Sequence, residues 1–354
     1  MKLAITGGAG FIGSNFVRYM LEKYPDYYIL NLDNLTYSGN LENLSDVLRN
    51  PRHQFLKVDI CDRDQVVRAL SSGVDFVVHF AAESHVDRSI MDSSVFVRTN
   101  VLGTQCLLEA ARQWGVRRFV HVSTDEVYGS APGKQSFRED SPLAPNSPYA
   151  ASKAASDLLA RAYFQTYRFP VVVTRCSNNF GPYQFPEKFI PLLISRALEN
   201  QDIPIYGNGL QVRDWIFVQD HCRALDTVLH SGREGEIYNI GGGNEWPNLE
   251  IAGRILDLLR KPHSLLTYVQ DRPGHDRRYS VDCGRIDAEL GWRPQTNFAA
   301  GLARTIDWYV ANTGWRERIQ NQAYRSYYQE QYERRDETLK RIQNPGGSSV
   351  CASL

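Results

Sequence analysis

The sequence carries no excess of charge of either sign. Lys and Arg together number 40, as do Asp and Glu, for a formal net charge of zero. That balance removes the electrostatic footprint of a nucleic-acid binder or of a protein held on an acidic membrane surface. A locally basic pocket for a phosphorylated ligand stays compatible with it, because net charge averages over the whole surface. No run is long and apolar enough to cross a bilayer. A secretory leader is also missing, since Met1 runs directly into the strand-like Lys2–Thr6, and a cytoplasmic protein is the expectation. Cys-x-x-Cys pairs do not occur. The cysteines stand scattered at 61, 106, 176, 222, 283 and 351, which argues for free buried thiols and against a disulfide framework or a metal site. Internal repeats are absent.

What remains is an ordinary globular composition, 42% hydrophobic and 23% charged over 354 residues, with room for two domains or one large domain and a lobe. The first half alternates short apolar runs with helical patterns. Strands are expected at Leu3–Thr6, Tyr28–Leu32, Gln54–Val58, Phe76–Phe80, Phe119–Ser123 and Val171–Arg175. Helices are expected at Ile12–Lys23, Arg63–Ser71, Ser94–Trp114 and Tyr149–Arg168. This rhythm predicts an α/β fold, a doubly wound parallel sheet of the Rossmann type with helices on both faces. Apolar strands such as Phe76–Phe80, interrupted only by His79, fit burial on both sides. After about residue 176 prolines, aromatics and arginines become dense, which predicts a smaller C-terminal substrate-binding lobe. The expected division is 1–175 for the dinucleotide-binding domain, a segment near 215–240 that returns to its sheet, and 176–214 with 241–335 for the second lobe. The tail from 344 to 354 is expected to be disordered.

Thr6-Gly-Gly-Ala-Gly-Phe-Ile-Gly13 sits at the first strand–helix junction. Gly7, Gly10 and Gly13 allow a tight turn and let backbone N–H groups approach a pyrophosphate at a helix N-terminus. The strand-to-helix context is what raises this motif above a chance match. Asp33 ends the next strand, where an acid bonds the adenosine ribose hydroxyls and would repel a 2′-phosphate, so NAD is expected over NADP. Asp59 and Ile60 could cover the adenine or form a plain solvated loop.

Tyr149 and Lys153 are four apart on one expected helix and so face the same way. An ammonium nearby would lower the tyrosine pKa, and a phenolate can take a hydroxyl proton as hydride leaves the same carbon. Asp125 and Glu126 follow the strand that ends in Ser123-Thr124, at the sheet edge where ligands bind in open α/β folds. Two carboxyls in different environments can divide into one protonated acid and one ionised base, a division that suits loss of water. His79 and His121 fall inside strand patterns and read as core residues.

Thr124-Asp-Glu-Val-Tyr-Gly129, Tyr149-Ala-Ala-Ser-Lys153 and Ala81-Ala-Glu-Ser-His-Val-Asp87 resemble the nucleotide-sugar 4,6-dehydratases of the extended short-chain dehydrogenase/reductase superfamily. The likeness continues through Asn178–Tyr183, Pro186–Lys188, Arg213–Trp215 and Asp271–His275 and covers about residues 1 to 310, with Phe189 standing where leucine is expected. It implies NAD as cofactor, dTDP-glucose as the nucleotide sugar and a homodimer built on the Ser94–Trp114 and Tyr149–Arg168 helices, with Leu107, Leu108, Leu158 and Leu159 as apolar positions that could serve the interface or pack on the sheet. It also implies roles. Tyr149 takes the 4-hydroxyl proton, assisted by Lys153 and Thr124. Glu126 removes the C5 proton, and protonated Asp125 releases the C6 hydroxyl. Besides the glycines, Asp33, Asp59 and Ile60, the cofactor would touch Phe11, Ile12, Asn34, Leu35, Thr36, Ala81, Ala82, Ser84, Thr99, Tyr149, Lys153 and Asn179. The substrate would touch Ser84, Thr124, Asn178, Lys188, Phe189, Pro204, Tyr206, Arg213, Asn248, Arg272 and His275. Arg213 and Arg272 are the phosphate candidates, with a surface ion pair as the alternative, and His275 could instead be structural. A 4-epimerase or decarboxylase would share the glycines and the Tyr/Lys couple without the Asp-Glu pair, and a silent NAD-binding scaffold would bind without turnover.

Overall fold

The computed structural model describes residues 1–320 and 326–343, and the expected tail at 344–354 lies outside them. Seven parallel strands form the main sheet: β1 (Lys2–Thr6), β2 (Tyr28–Asp33), β3 (His53–Lys57), β4 (Phe76–His79), β5 (Arg118–Thr124), β6 (Val171–Cys176) and, from later in the chain, β10 (Ile237–Ile240). Their order is β10-β6-β5-β4-β1-β2-β3. β1 therefore has β2 on one side and β4 on the other, with Thr6 opposite both Leu32 and His79. The connections run outward in opposite directions from that point, so a crevice opens at the carboxyl ends of β1 and β4.

β4 and β6 are buried along their whole length, as helices on both faces require. Phe16, Val17, Met20 and Leu21 press the helix Phe11–Lys23 onto one face, each buried side chain contributing roughly 1.5–3 kcal/mol before entropy is counted. Leu107, Leu108, Ala110 and Ala111 do the same on the other face. His79 and His121 lie in this core. His79 bonds Thr6 Oγ1 at 2.7 Å and Thr104 Oγ1 at 2.9 Å, and His121 bonds Ser156 Oγ at 3.0 Å.

The expected helix over Ser94–Trp114 is not regular. It begins as Ser94–Phe96, widens into a π-helical stretch over Val97–Gly103 and ends as Thr104–Gln113. The anchor is Asn100, whose amide bonds the backbone of Glu83 at 2.8 and 3.0 Å and Ser152 Oγ at 2.8 Å. Stretches of this kind re-aim side chains at functional sites, and this one turns Arg98 and Thr99 toward the crevice.

The second lobe holds a three-stranded sheet of β7 (Asn178–Phe180), β9 (Val212–Phe217) and β11 (Glu245–Pro247), and a pair, β8 (Ile203–Tyr206) with β12 (Leu266–Val269). Phe180, Trp215, Phe217, Ile251, Tyr309 and Trp315 belong to its core. The helix Val218–Ser231 follows β9 without a break but packs on the first lobe, where Val218, Cys222, Leu225 and Val228 join Leu3, Ile5 and Phe16. Among the described residues no helix is long and apolar enough to cross a membrane.

Candidate active site

A cavity of about 480 Å³ occupies the crevice. Its inner end is the glycine turn. Gly7 has φ +72°, and a Cβ there would stand 2.7 Å from the Ala81 backbone nitrogen; one on Gly13 would stand 2.2 Å from the Gly7 carbonyl oxygen. At Gly7 and Gly13 the turn is thus packed too tightly for a side chain, which leaves bare backbone facing the cavity there. Gly10 caps the helix Phe11–Lys23 with no side-chain hydrogen bond, so the first N–H groups stay available to an anion.

Asp33 closes β2 and accepts from Ala9 N–H at 2.9 Å and Leu35 N–H at 2.8 Å. Burial pushes its carboxyl up while those two donors pull it back. Gly7, Gly10, Phe11, Ile12, Gly13, Asp33, Asn34, Thr36, Asp59, Ile60, Ala81, Ala82, Ser84, Thr99 and Asn179 all line the cavity. Leu35 does not. It adopts φ 54° to direct its N–H at Asp33, and its side chain packs on the first-lobe core instead. The bare turn, the open helix end and the acid at the ribose position fit NAD.

The helix Pro148–Tyr167 opens with Ser147 accepting from Ala150 N–H at 3.1 Å and with Pro at its first position. This start buries Tyr149 and Lys153, at 8% and 4% exposure. Lys153 Nζ donates to the Val122 carbonyl at 2.8 Å, and burial pushes its pKa down to about 8. Tyr149 does not show the lowered pKa expected from that neighbour. Burial and then the Glu126 carboxylate push it well up, with the Thr124 hydroxyl as the hydrogen-bonding group that pulls the other way.

Thr124 ends β5, accepts from Glu126 N–H at 3.3 Å and donates to Asp125 Oδ1 at 3.3 Å, which fixes both acids at the cavity wall. Their environments differ. Burial pushes Asp125 well up, reinforced by Glu126 and Asp214, and its Oδ2 is buried without a partner. Burial also raises Glu126, but Arg272, Arg213 and Lys188 oppose the shift.

Asn178 and Lys188 reach the cavity, and Lys188 Nζ donates to the Ser84 carbonyl at 2.5 Å. Phe189, Pro204, Tyr206, Arg213, Asn248, Arg272 and His275 lie outside its walls. Phe189 stacks on Trp215 with ring centroids 6.1 Å apart, a core contact. Buried Arg213 and partly buried Arg272 form a cationic layer beyond Glu126, where Arg272 stands 3.7 Å from Asp87 and its Nε has no partner. The Asn248 side-chain oxygen is likewise buried and unpaired. His275 bonds Asp271 at 2.5 Å and sets its ring edge on Tyr206, and burial pushes its pKa down to about 4.

Several groups were not singled out from the sequence. Glu187 has a wholly buried side chain 3.0 Å from Arg88, whose guanidinium lies between the rings of Tyr37 and Tyr327 at 4.0 and 4.2 Å. Tyr279 OH stands 3.5 Å from Glu126 Oε2 and donates to Asp276 at 2.7 Å. Gln331, Tyr332 and Arg335 gather on Tyr206. Glu187 falls inside the Pro186–Lys188 stretch and Tyr279 lies just beyond Asp271–His275, and that proximity was the one available signal.

A family model described as GDP-mannose 4,6 dehydratase matches residues 4–305. The dTDP-glucose 4,6-dehydratase of Salmonella typhimurium is 49% identical over 361 residues, spanning 95% of this chain and 100% of its own. That of an Actinoplanes species is 52% identical over 320 residues, spanning 89% and 99%. The crystal structure of the Streptomyces venezuelae enzyme DesIV, a dTDP-glucose 4,6-dehydratase with NAD bound, superposes with a TM-score of 0.88 at 56% identity over 90% of this chain and 100% of its own. A Thermus thermophilus UDP-glucose 4-epimerase with NAD reaches 0.82 at 32% identity over 88% and 100%. On these matches, the chain belongs to the nucleotide-sugar 4,6-dehydratase family that the GDP-mannose 4,6 dehydratase model describes.

Proposed function

We propose that this chain is a cytoplasmic enzyme that dehydrates dTDP-glucose to dTDP-4-keto-6-deoxyglucose, an entry to deoxysugars, with NAD as a resident cofactor. The observation that carries the reading is the Asp125–Glu126 pair at the end of β5, set into the same cavity as Tyr149 and Lys153. A simple alcohol dehydrogenase or an epimerase has no use for two carboxyls of unequal proton affinity there. The identity levels point the same way, 49–56% to dTDP-glucose dehydratases against 32% to the Thermus epimerase.

The glycine turn, Asp33, Thr99 and Lys153 would hold the cofactor, which when bound supplies the acceptor for the C4 hydride and its donor to C6. The chain's own groups handle the protons. Tyr149 takes the proton of the sugar 4-hydroxyl, with Thr124 aligned on the same oxygen and its hydrogen bond opposing the burial that raises the phenol. The resulting ketone acidifies the C5–H bond. Glu126, kept nearer the ordinary range by three cations, takes that proton. Asp125, which binds its proton more tightly, gives it to the departing C6 hydroxyl, so that water leaves. Glu126 returns a proton to C5 as C6 is reduced. Arg213 and Arg272 suit the diphosphate beyond.

The same proposal includes a homodimer. Leu107 and Leu108 are fully buried on the sheet and cannot serve it. Val95, Leu102, Leu158 and Tyr167 are 44 to 56% exposed on the outer faces of the two expected helices and can.

The test is mass spectrometry of the product after incubation with dTDP-glucose and no added reductant. Loss of one water supports the dehydratase; an unchanged mass rejects it, and separation of epimers would then decide for the epimerase. A parallel incubation with UDP-glucose reads out the base preference.

A further inference from the structure

The segment that follows β2 forms one wall of the cofactor cavity through Asn34, Thr36, Ser38 and Gly39. It is tied to the glycine turn from beneath. Ala9 O accepts from Asn40 N–H at 3.0 Å and from Asn43 Nδ2 at 2.9 Å, while Ala9 N–H donates to Asp33. The other end of the Asn43 amide belongs to the second lobe, where Trp315 Nε1 donates to Asn43 Oδ1 at 2.9 Å. An indole N–H can only donate and a carbonyl can only accept, so one orientation of the amide satisfies both partners and the flipped one satisfies neither. Asn43 is 2% exposed and Trp315 6%, which keeps water from substituting for either bond. Trp315 itself is wedged against Trp308 and Tyr309. Arg18 adds a second tie, donating to the Asn43 carbonyl with its guanidinium 4.1 Å over the Tyr183 ring of the second lobe.

We propose that Asn43 and Trp315 form a latch by which the second lobe holds the post-β2 segment closed over the bound dinucleotide, so that Trp315 is a positioning residue for cofactor retention. This rests on the NAD reading above. It deepens that reading because a reaction that returns its hydride to the same sugar never requires cofactor exchange. A latch assembled from residues 272 positions apart suits a cofactor that stays in place.

Trp315→Phe keeps the aromatic wedge and removes the single donor. Release of NAD from the purified protein is followed by dilution into a trap for free NAD, together with the NAD retained per chain after gel filtration. The expected result is release about ten- to a hundredfold faster, from one lost hydrogen bond and one buried acceptor left unpaired. Asn43→Asp is the second variant. It keeps the acceptor toward Trp315, sets an oxygen against the Ala9 carbonyl, and is expected to release NAD faster too. Arg318→Ala is the control for general loosening of the lobes, since its ion pair with Glu42 is exposed at the same seam. Release from both latch variants within twofold of the parent, or equal acceleration in Arg318→Ala, overturns the latch and leaves the dehydratase reading intact. A parent chain that retains no NAD overturns the cofactor reading and the latch together.

Discussion

Asp157 lies one helical turn beyond Lys153 and accepts Arg175 Nε at 2.8 Å, both side chains at or below 4% exposure. Burial alone would push the Asp157 carboxyl up, but the His121 hydrogen bond and the Arg175 charge outweigh it and hold it below the usual range. Asp157→Ala strands a buried guanidinium and is expected to cost about 3–5 kcal/mol in denaturant unfolding. Because the folded pKa lies below the unfolded value of about 3.9, the pair stabilises fully above that pH. The contribution is lost as pH falls through the folded value, and a stability–pH series on parent and variant should converge at the acid end.

The carboxyl pair makes a sharper claim on chemistry. Asp125→Asn with Glu126→Gln should lower the rate of water loss about 10²–10⁴-fold. The first oxidation should survive, since Tyr149 and Lys153 are untouched. Near-ultraviolet absorbance of reduced nicotinamide after mixing with dTDP-glucose checks this. An unimpaired rate of dehydration in the double variant would remove the pair from the mechanism.

Dependence on pH follows from the cations around Glu126. Arg272 is the largest of the three restraints on its raised pKa. Arg272→Met should let that pKa climb, so the acid limb of kcat at saturating substrate moves to higher pH.

The alkaline limb belongs to Lys153. Its pKa is pushed down to about 8 by burial, against the upward pull of Asp157. Activity should fall as pH rises through that value. Asp157→Asn removes the pull, so the limb should move to lower pH. A limb that stays in place would separate Lys153 from the profile.

Assembly is tested on the exposed leucines. Leu102→Glu with Leu158→Glu should convert a dimer to a monomer by light scattering, with the circular dichroism of the fold retained. A parent that already runs as a monomer rejects the proposed dimer.

The parts of this molecule that were readable from sequence are those in which neighbours along the chain cooperate. Strand–helix alternation, the glycine turn and the Tyr149–Lys153 spacing each need only a short window. The π-helical turn at Val97–Gly103 needs Asn100 to find Glu83 and Ser152, and no local pattern announces that. The raised pKa of Tyr149 depends on burial and then on Glu126, 23 positions away. Gathering Gln331, Tyr332 and Arg335 on Tyr206 is a long-range packing event written in side chains that form no motif. Leu35 and Phe189 were placed at the site by likeness alone, and packing claims both for the core.

The return of β10 to β6 has a bearing on how the molecule is made. Val173 cannot acquire its Ile237 neighbour until more than sixty further residues have left the ribosome. Until then β6 is an open edge, the kind of surface on which nascent chains pair with one another. The first lobe is therefore not a module that can be cut out and expressed by itself. A fragment ending at Cys176 should aggregate, whereas one extended past Ile240 would carry its own edge strand.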